Sequence, residues 1–282
     1  LDAAIERSKR TRLNRLLVNP VRSLVPVAAR KAGFQRVINC PTFWGGTFTG
    51  VVPEDVSTLI WRQTFFDHTV CRSMLSVLKS GDGFIDVGAH FGFFSLLAAK
   101  LVGKSGFVES VEAMPSTFER LNHNISANAE GGSISLHNVA AHEEESELAF
   151  RDFGLLNSSL NSHKSPRNPR LGRTTDYPEI PVKGIPLDSI IDATRQAKIA
   201  AVKIDAESSE LQVLRGMSDI IKQSKPVLII EISGMDEQTS AQSSAIIDHL
   251  APSGYRPYKW VDGDLQPADT LPATYDNYMF KV

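Results

Sequence analysis

Between residues 84 and 233, short apolar runs alternate with amphipathic segments, and this rhythm limits the fold more than any other feature of the chain. FIDVG (84–88), FVESVE (107–112), ISLHNVAA (134–141), AAVKID (200–205) and VLIIEIS (227–233) read as strands. Residues 91–103, 115–129 and 209–223 carry helical spacing, the second opened by Pro115. Apolar strands separated by helices require a parallel sheet covered on both faces. A further helix is expected over 240–251. YRPYKW (255–260) and TYDNYMFKV (274–282) then read as two closing strands joined by the turn VDGD, an antiparallel edge hairpin. The expected class is α/β, doubly wound and mostly parallel.

The flanks are less regular. Residues 4–18 and 21–32 read as short basic helices separated at Pro20, and 36–60 as short strands and turns. Residues 64–79 have helical spacing that stops at Gly81. The expected division is an N-terminal helical and short-strand extension over 1–60 and a main domain over 61–282. Strands at 146–151 and 180–185 bracket a polar insertion, 152–179. An insertion of that length in a compact domain is usually functional or disordered.

Charge adds one asymmetry. The 282 residues carry a net −2, which exerts no global pull on nucleic acid, and no nucleic-acid partner is expected. Residues 1–31 nevertheless hold a local +6, leaving −8 for the rest. Such a basic head can touch a membrane surface or an acidic partner, although a solvated helix face explains the same pattern. No apolar run reaches the length of a membrane span, and LDAAIERSKR lacks the apolar core of a signal peptide. Two cysteines in a chain with ample core fit a reducing cytosol. The expected location is therefore cytoplasmic.

GFIDVGAHFGFF (83–94) places a glycine turn at the carboxyl end of the first sheet strand, where ligands bind in open α/β sheets. The glycines follow G-x-x-x-G rather than the G-x-G-x-x-G that faces a pyrophosphate, which argues against a nicotinamide oxidoreductase. Asp86, just before the turn, would repel a pyrophosphate and suits a ligand bearing an amino group or sulfonium. Glu112 ends the next strand, 24 residues after Gly88, where an acid accepts hydrogen bonds from ribose hydroxyls. Strand, glycine turn, helix, strand and acid together indicate an adenosine ligand without an adjoining phosphate, a description that S-adenosylmethionine meets.

GFIDVGAHFGFFSLLAAKLVG, VESVEAMPSTFERLNHNISAN, LHNVAAH, VKIDAESSELQVLRGM and PVLIIEIS, in this order and spacing, resemble the FkbM-type class I methyltransferases. The resemblance runs from about residue 80 to the last strand, DNYMFKV. It implies a seven-stranded, Rossmann-like sheet with its last strand antiparallel. It also implies methyl transfer from S-adenosylmethionine, usually to oxygen on sugars or secondary metabolites, so that a small-molecule or saccharide acceptor is expected. Carried over by position, Asp86, Gly88, His90 and Gly92 would surround the methionine part of the cofactor, with Ala89 a further cofactor contact and Phe93 at the cofactor mouth. Glu112 would hold the ribose, Ala113 next to it would also contact the cofactor, the stretch Asn138, Val139, Ala140, Ala141 would flank the adenine, and Asp205 would face the methyl group. Three departures stand out. His90 replaces a frequent Asn, VEAMP replaces FEPNP, and DAES replaces DVEG, with Ser208 in place of glycine. Ser209 with Gln212 offers a capping box for the next helix.

Methyl transfer to oxygen is chiefly a positioning task, with one proton to remove from a hydroxyl acceptor. Lys203, Asp205 and Glu207 alternate at one strand end, so period two places them on one side. Asp205 or Glu207 is the expected base, with Lys203 tuning it. Asp205 and Glu231 offer the hard oxygen ligands of a divalent cation, but two carboxylates are thin grounds and no metal is expected. His163, Arg167, Arg170 and Arg173 in the insertion are candidates for acceptor contact. A non-catalytic scaffold docking on a membrane or protein through its basic head is the alternative to an enzyme.

Overall fold

The computed structural model describes residues 1–9, 11–160, 176–232, 237–268 and 276–282. Three helices come first: α1 (Asp2–Ser8), α2 (Arg12–Val18) and α3 (Pro20–Ala32). An antiparallel ribbon follows, of β1 (Arg36–Pro41) and β2 (Thr47–Val52), and then α4 (Asp55–Gln63) and α5 (His68–Val77). The alternating part comprises β3 (Gly83–Val87), α6 (Phe93–Val102), β4 (Phe107–Val111), α7 (Pro115–Asn128) and β5 (Ser133–His137). After β6 (Ala140–Ala141), β7 (Ser146–Arg151) and β8 (Glu179–Ile185) come two one-turn helices, α8 (Leu187–Ile190) and α9 (Ala193–Gln196). The remaining elements are β9 (Ile199–Ile204), α10 (Glu210–Arg215), α11 (Ser218–Ser224), β10 (Val227–Ile232), α12 (Glu237–Leu250), β11 (Arg256–Val261), β12 (Asp264–Pro267) and β13 (Asp276–Lys281).

The main sheet runs β12-β11-β13-β10-β9-β3-β4-β5. Strands β5, β4, β3, β9 and β10 are parallel, and β13 is antiparallel to both of its neighbours. This is the expected doubly wound sheet with an antiparallel last strand, enlarged from seven strands to eight. The extra strand is β12. The turn at Asp262–Gly263 joins β11 to β12, not to the last strand, and β13 inserts between β10 and β11. The expected terminal hairpin is corrected accordingly.

Alternation along the strands sorts side chains between two cores. Phe84, Val108, Ala201 and Ile229 join one core with α5 and α6, while Ile85, Val111, Val202 and Ile230 join the other with α10, α11 and α12. Each such fully buried Phe, Val or Ile side chain contributes roughly 1.5–3 kcal/mol. The same period places Asp86, Lys203 and Glu231 on the face of Phe84, Ala201 and Ile229. Ala4, Ile38, Phe48 and Ile60 belong to that first core as well, so residues 1–60 pack into it, and α4 runs across the expected boundary at residue 60.

Several local expectations change. The expected helix over 4–18 divides into α1 and α2. The stretch 36–60 ends not in strand but in α4, because the buried Glu54 carboxylate accepts hydrogen bonds from the Val56 (2.8 Å) and Ser57 (2.6 Å) N–H groups. Asp67 caps Thr69 and Val70 in the same way, so α5 starts at His68 rather than at 64. The expected third strand, 134–141, is two strands in different sheets. β5 ends at His137, and β6 pairs with β8 in the small sheet β6-β8-β7. Asn138 makes the break, its Nδ2 donating to the carbonyls of Glu112 (2.9 Å) and Ala113 (3.1 Å). The helix over 209–223 is interrupted at Gly216, where a Cβ would stand 2.0 Å from the His142 carbonyl oxygen.

Candidate active site

The turn after β3 has little freedom. Gly88 has φ +69°, and a Cβ there would lie 2.0 Å from the Asp205 carbonyl oxygen, so only glycine lets the two strand ends meet. The Gly88 and Ala89 N–H groups both donate to the Val111 carbonyl at 3.0 Å. His90 follows with φ +52°, and its N–H donates to Glu112 Oε2 at 2.9 Å. The His90 ring stacks on Phe91 at 4.0 Å and shares a 2.8 Å hydrogen bond with Ser158 Oγ. Burial, reinforced by the nearby Lys203 charge, pushes its pKa down to about 3, so the ring is neutral.

Lys203 organises the acids. Its Nζ donates to the Gly88 carbonyl (2.9 Å) and the Val87 carbonyl (3.3 Å), and lies 3.2 Å from Asp205 Oδ2 and 3.7 Å from Asp86 Oδ1. Burial disfavours its charge, but Asp205, Asp86 and Glu231 together outweigh that and raise its pKa. Burial likewise opposes charge on Asp205. The Lys203 ammonium, aided by a hydrogen bond with Glu231, overcomes this and holds Asp205 below the usual carboxylate range. Glu207 goes the other way: burial, then the Asp205 charge, pushes it well above the ordinary value. Carboxylate oxygens of Asp205, Glu207 and Glu231 lie within 4.8 Å of one another. The spacing would suit a cation, yet Lys203 already supplies a positive charge beside them.

Glu207 sits in a strained turn together with its neighbour Ser208. Glu207 and Ser208 have φ +47° and +75°. The expected Ser209–Gln212 capping box does not form: Ser209 makes no side-chain cap to α10. Instead Glu210 Oε1 accepts from the Ala206 (3.2 Å) and Ser208 (3.1 Å) N–H groups and ties the turn down. A side chain in the left-handed region costs roughly 1–2 kcal/mol, part of which glycine returns as unfolded-state entropy. Ser208→Gly is therefore expected to stabilise the protein by about 0.5–1 kcal/mol, read as a higher urea midpoint with an unchanged slope.

These groups face a cavity of about 320 Å³, within the range of small-molecule sites. Of the residues picked from the sequence, Gly88, Ala89, His90, Phe93, Glu112, Ala113, Ala140, Ala141, Lys203, Asp205 and Glu207 line it. Asp86, Gly92 and Asn138 do not. Asp86 is wholly buried beneath the wall, where its Oδ2 accepts from Ser95 Oγ at 2.6 Å. Gly92 faces α7, since a Cβ would stand 2.7 Å from Leu121 Cδ1. Asn138 holds the strand ends together, as described above. Glu112 lines the cavity with its Oε1 accepting from the Met114 N–H at 3.0 Å, and burial raises its pKa to about 7.

Other wall residues had no sequence signal of their own. Asp55, Val56 and Leu59 come from α4, Phe66 from the following loop, Leu148 and Phe150 from β7, and Ser158 from the segment after it. Glu231 was legible as the acid ending β10. His163, Arg167, Arg170 and Arg173 lie outside the described residues.

Comparison with known proteins supplies the family. The sequence profile described as "Methyltransferase FkbM domain" matches residues 86–257. The hexuronic acid methyltransferase AglP of Haloferax volcanii is 28% identical over 180 residues, covering 63% of this chain and 68% of that protein. Among solved structures, an FkbM methyltransferase from Methylobacillus flagellatus superposes with a TM-score of 0.43 at 18% identity, covering 80% of this chain. This chain spans 54% of that protein's length. Aeropyrum pernix fibrillarin with natively bound S-adenosyl-L-methionine gives a TM-score of 0.41 at 11% identity, over 76% of this chain and 74% of its own. No helix among the described residues is long and apolar enough to cross a membrane. The family match covers well over half of the chain, its position agrees with the glycine turn, the Glu112 strand end and the Lys203–Asp205 pair, and the protein belongs to the FkbM methyltransferase family, whose cofactor is S-adenosylmethionine.

Proposed function

We propose that the protein transfers a methyl group to a hydroxyl oxygen of a sugar-type acceptor. The observation that carries this reading is Asp205, kept ionised by Lys203 at the wall of a cavity that a second acid, Glu112, also lines. The cofactor is an adenosine joined through a sulfonium to an amino acid, and the donor set fits it. Glu112 suits ribose hydroxyls, Val139, Ala140, Ala141 and Leu148 suit a flat base, and the acids near Asp205 suit positive charge.

When bound, the cofactor supplies an electrophilic methyl carbon. The chain supplies position and a proton acceptor. Gly88, Ala89 and His90 bring the backbone close to the cofactor, and His90 stays neutral. Asp205 accepts the acceptor hydroxyl's proton, and Glu207 and Glu231 beside it hold the sugar through hydrogen bonds. Asp86 works at one remove, by fixing Lys203. A saccharide acceptor is supported by the H. volcanii relative, named for hexuronic acid. The paired acid and lysine favour chemistry over a purely scaffolding role.

Calorimetric titration tests the cofactor half. Wild type should bind S-adenosylmethionine, and Glu112→Ala should bind at least about tenfold more weakly, since losing charge-assisted hydrogen bonds costs roughly 1.5–3 kcal/mol. Radiolabel transfer to a panel of uronic acid and neutral hexose glycosides tests the other half. Binding without transfer to any of them would discard the sugar-type acceptor.

A further inference from the structure

Helices α2 and α3 leave an aliphatic face uncovered. Leu17, Val18, Val21, Leu24 and Val27 are between 44 and 73% exposed. Val21, Leu24 and Val27 recur at helical spacing along α3, so the exposure forms a stripe rather than scattered points. Contiguous apolar surface of this kind marks an interaction site. Val18, Leu24 and Val27 of the stripe also line a second cavity of about 560 Å³, which shares no lining residue with the active site and includes Arg7, Arg22 and Arg62. Arg22 stands 5.3 Å over the Trp61 ring, and Arg62 donates to the Ser23 carbonyl at 3.2 Å, so both guanidinium groups are held at this wall. Arg30 and Lys31 stand exposed at the end of α3.

We propose that α2 and α3 dock on the surface of an anionic lipid membrane, with the arginine-lined cavity taking up headgroup phosphates. An aliphatic stripe flanked by Arg and Lys is the pattern of a helix lying in the lipid interface. Charge complementarity selects anionic lipid. Residues 1–31 carry +6 while the remaining chain carries −8, so the basic segment is the part of the chain that an anionic surface attracts. A protein partner would more often be met by aromatic anchors, and the stripe has none. One ion pair links α3 to the wall of the active-site cavity. Arg30 Nη2 donates to Asp55 Oδ1 at 2.6 Å and to the Pro53 carbonyl at 2.9 Å, and Asp55 lines the catalytic cavity.

Sedimentation with sucrose-loaded vesicles tests this, using the whole chain. Binding to phosphatidylglycerol-containing vesicles should exceed binding to pure phosphatidylcholine by roughly 10- to 100-fold, as expected for two or three basic residues at the surface. High salt should remove most of the difference. The variant Leu17→Ser/Val21→Ser/Leu24→Ser should bind at least about tenfold more weakly. Lys31→Glu, at an exposed position, should weaken binding to the anionic vesicles alone. Both variants should keep wild-type affinity for S-adenosylmethionine, which shows them folded and separates this proposal from the acceptor assignment. Equal binding to both lipids, or binding unchanged in the triple variant, would overturn the proposal. So would a dimer that the triple variant dissolves while vesicles bind neither form, which would assign the stripe to a second copy of the chain.

Discussion

Asp205→Asn is expected to lower kcat for methyl transfer by roughly 10²- to 10⁴-fold, the usual worth of a positioned general base. The amide keeps the shape of the side chain but cannot take a proton. It also removes the negative charge that Lys203 faces at 3.2 Å. Measuring both steady-state constants separates two roles. A base loses kcat with little change in KM for the cofactor. A residue that merely orients the cofactor loses affinity and keeps kcat, and that result would displace Asp205 from the mechanism. The pH profile offers a second readout. Because Lys203 holds Asp205 below the ordinary carboxylate range, the proton acceptor is present throughout neutral pH, and the acidic limb should fall below about pH 4. Glu207 as base would give the opposite profile, with activity climbing into the alkaline range, because burial and Asp205 raise its pKa.

Lys203→Met should be among the most destabilising single changes in the chain. It leaves Asp86, wholly buried, without the ammonium 3.7 Å away, and removes a donor from the Gly88 and Val87 carbonyls, of which Val87 keeps the Asp205 N–H. Breaking one side of a buried charge pair costs roughly 3–5 kcal/mol. For a domain of this size that corresponds to a fall in Tm of about 10 °C. The loss should depend on pH. Burial already raises the Asp86 pKa above its unfolded value, and removing Lys203 raises it further. A group raised in this way gives its full stability below the unfolded pKa and loses it as pH rises through the folded one. The deficit of Lys203→Met should thus be larger at pH 8 than at pH 5. Adding Asp86→Asn should recover part of it, because the wholly buried carboxylate charge is then gone, although Asp205 still lacks its ammonium partner, and a double-mutant cycle by urea unfolding measures the coupling. Additive losses would show that the two residues do not support one another.

Legibility from sequence follows the physics of each segment. β3, β4, β9 and β10 were plain because a strand buried on both faces reads as an apolar run, and the acids at their ends stand out against it. Asp86, Lys203, Asp205, Glu207 and Glu231 were found for that reason. α4 was hidden: DVSTLIWRQ is rich in β-branched residues, and its helix depends on the Glu54 cap and on packing against β2. The departure of β6 from β5 rests on one asparagine bonding to carbonyls 25 and 26 residues earlier in the chain, a contact no local pattern reports. The turn at Ser208 kept its left-handed conformation without glycine because Glu210, inside the following helix, anchors it.

By itself the sequence determined the doubly wound sheet, the glycine turn at its mouth and the acids that follow β4 and β9. Hydrophobic period and strand-end chemistry are local, and a linear reading captures local causes. The tertiary structure alone decided which of those residues reach the cavity. It set Asp86 beneath the wall instead of in it, brought residues of α4 and β7 into that wall, and gave Asp205 and Glu207 opposite protonation tendencies. Those outcomes depend on burial and on charges brought together from distant strands, and neither is present until the chain has folded.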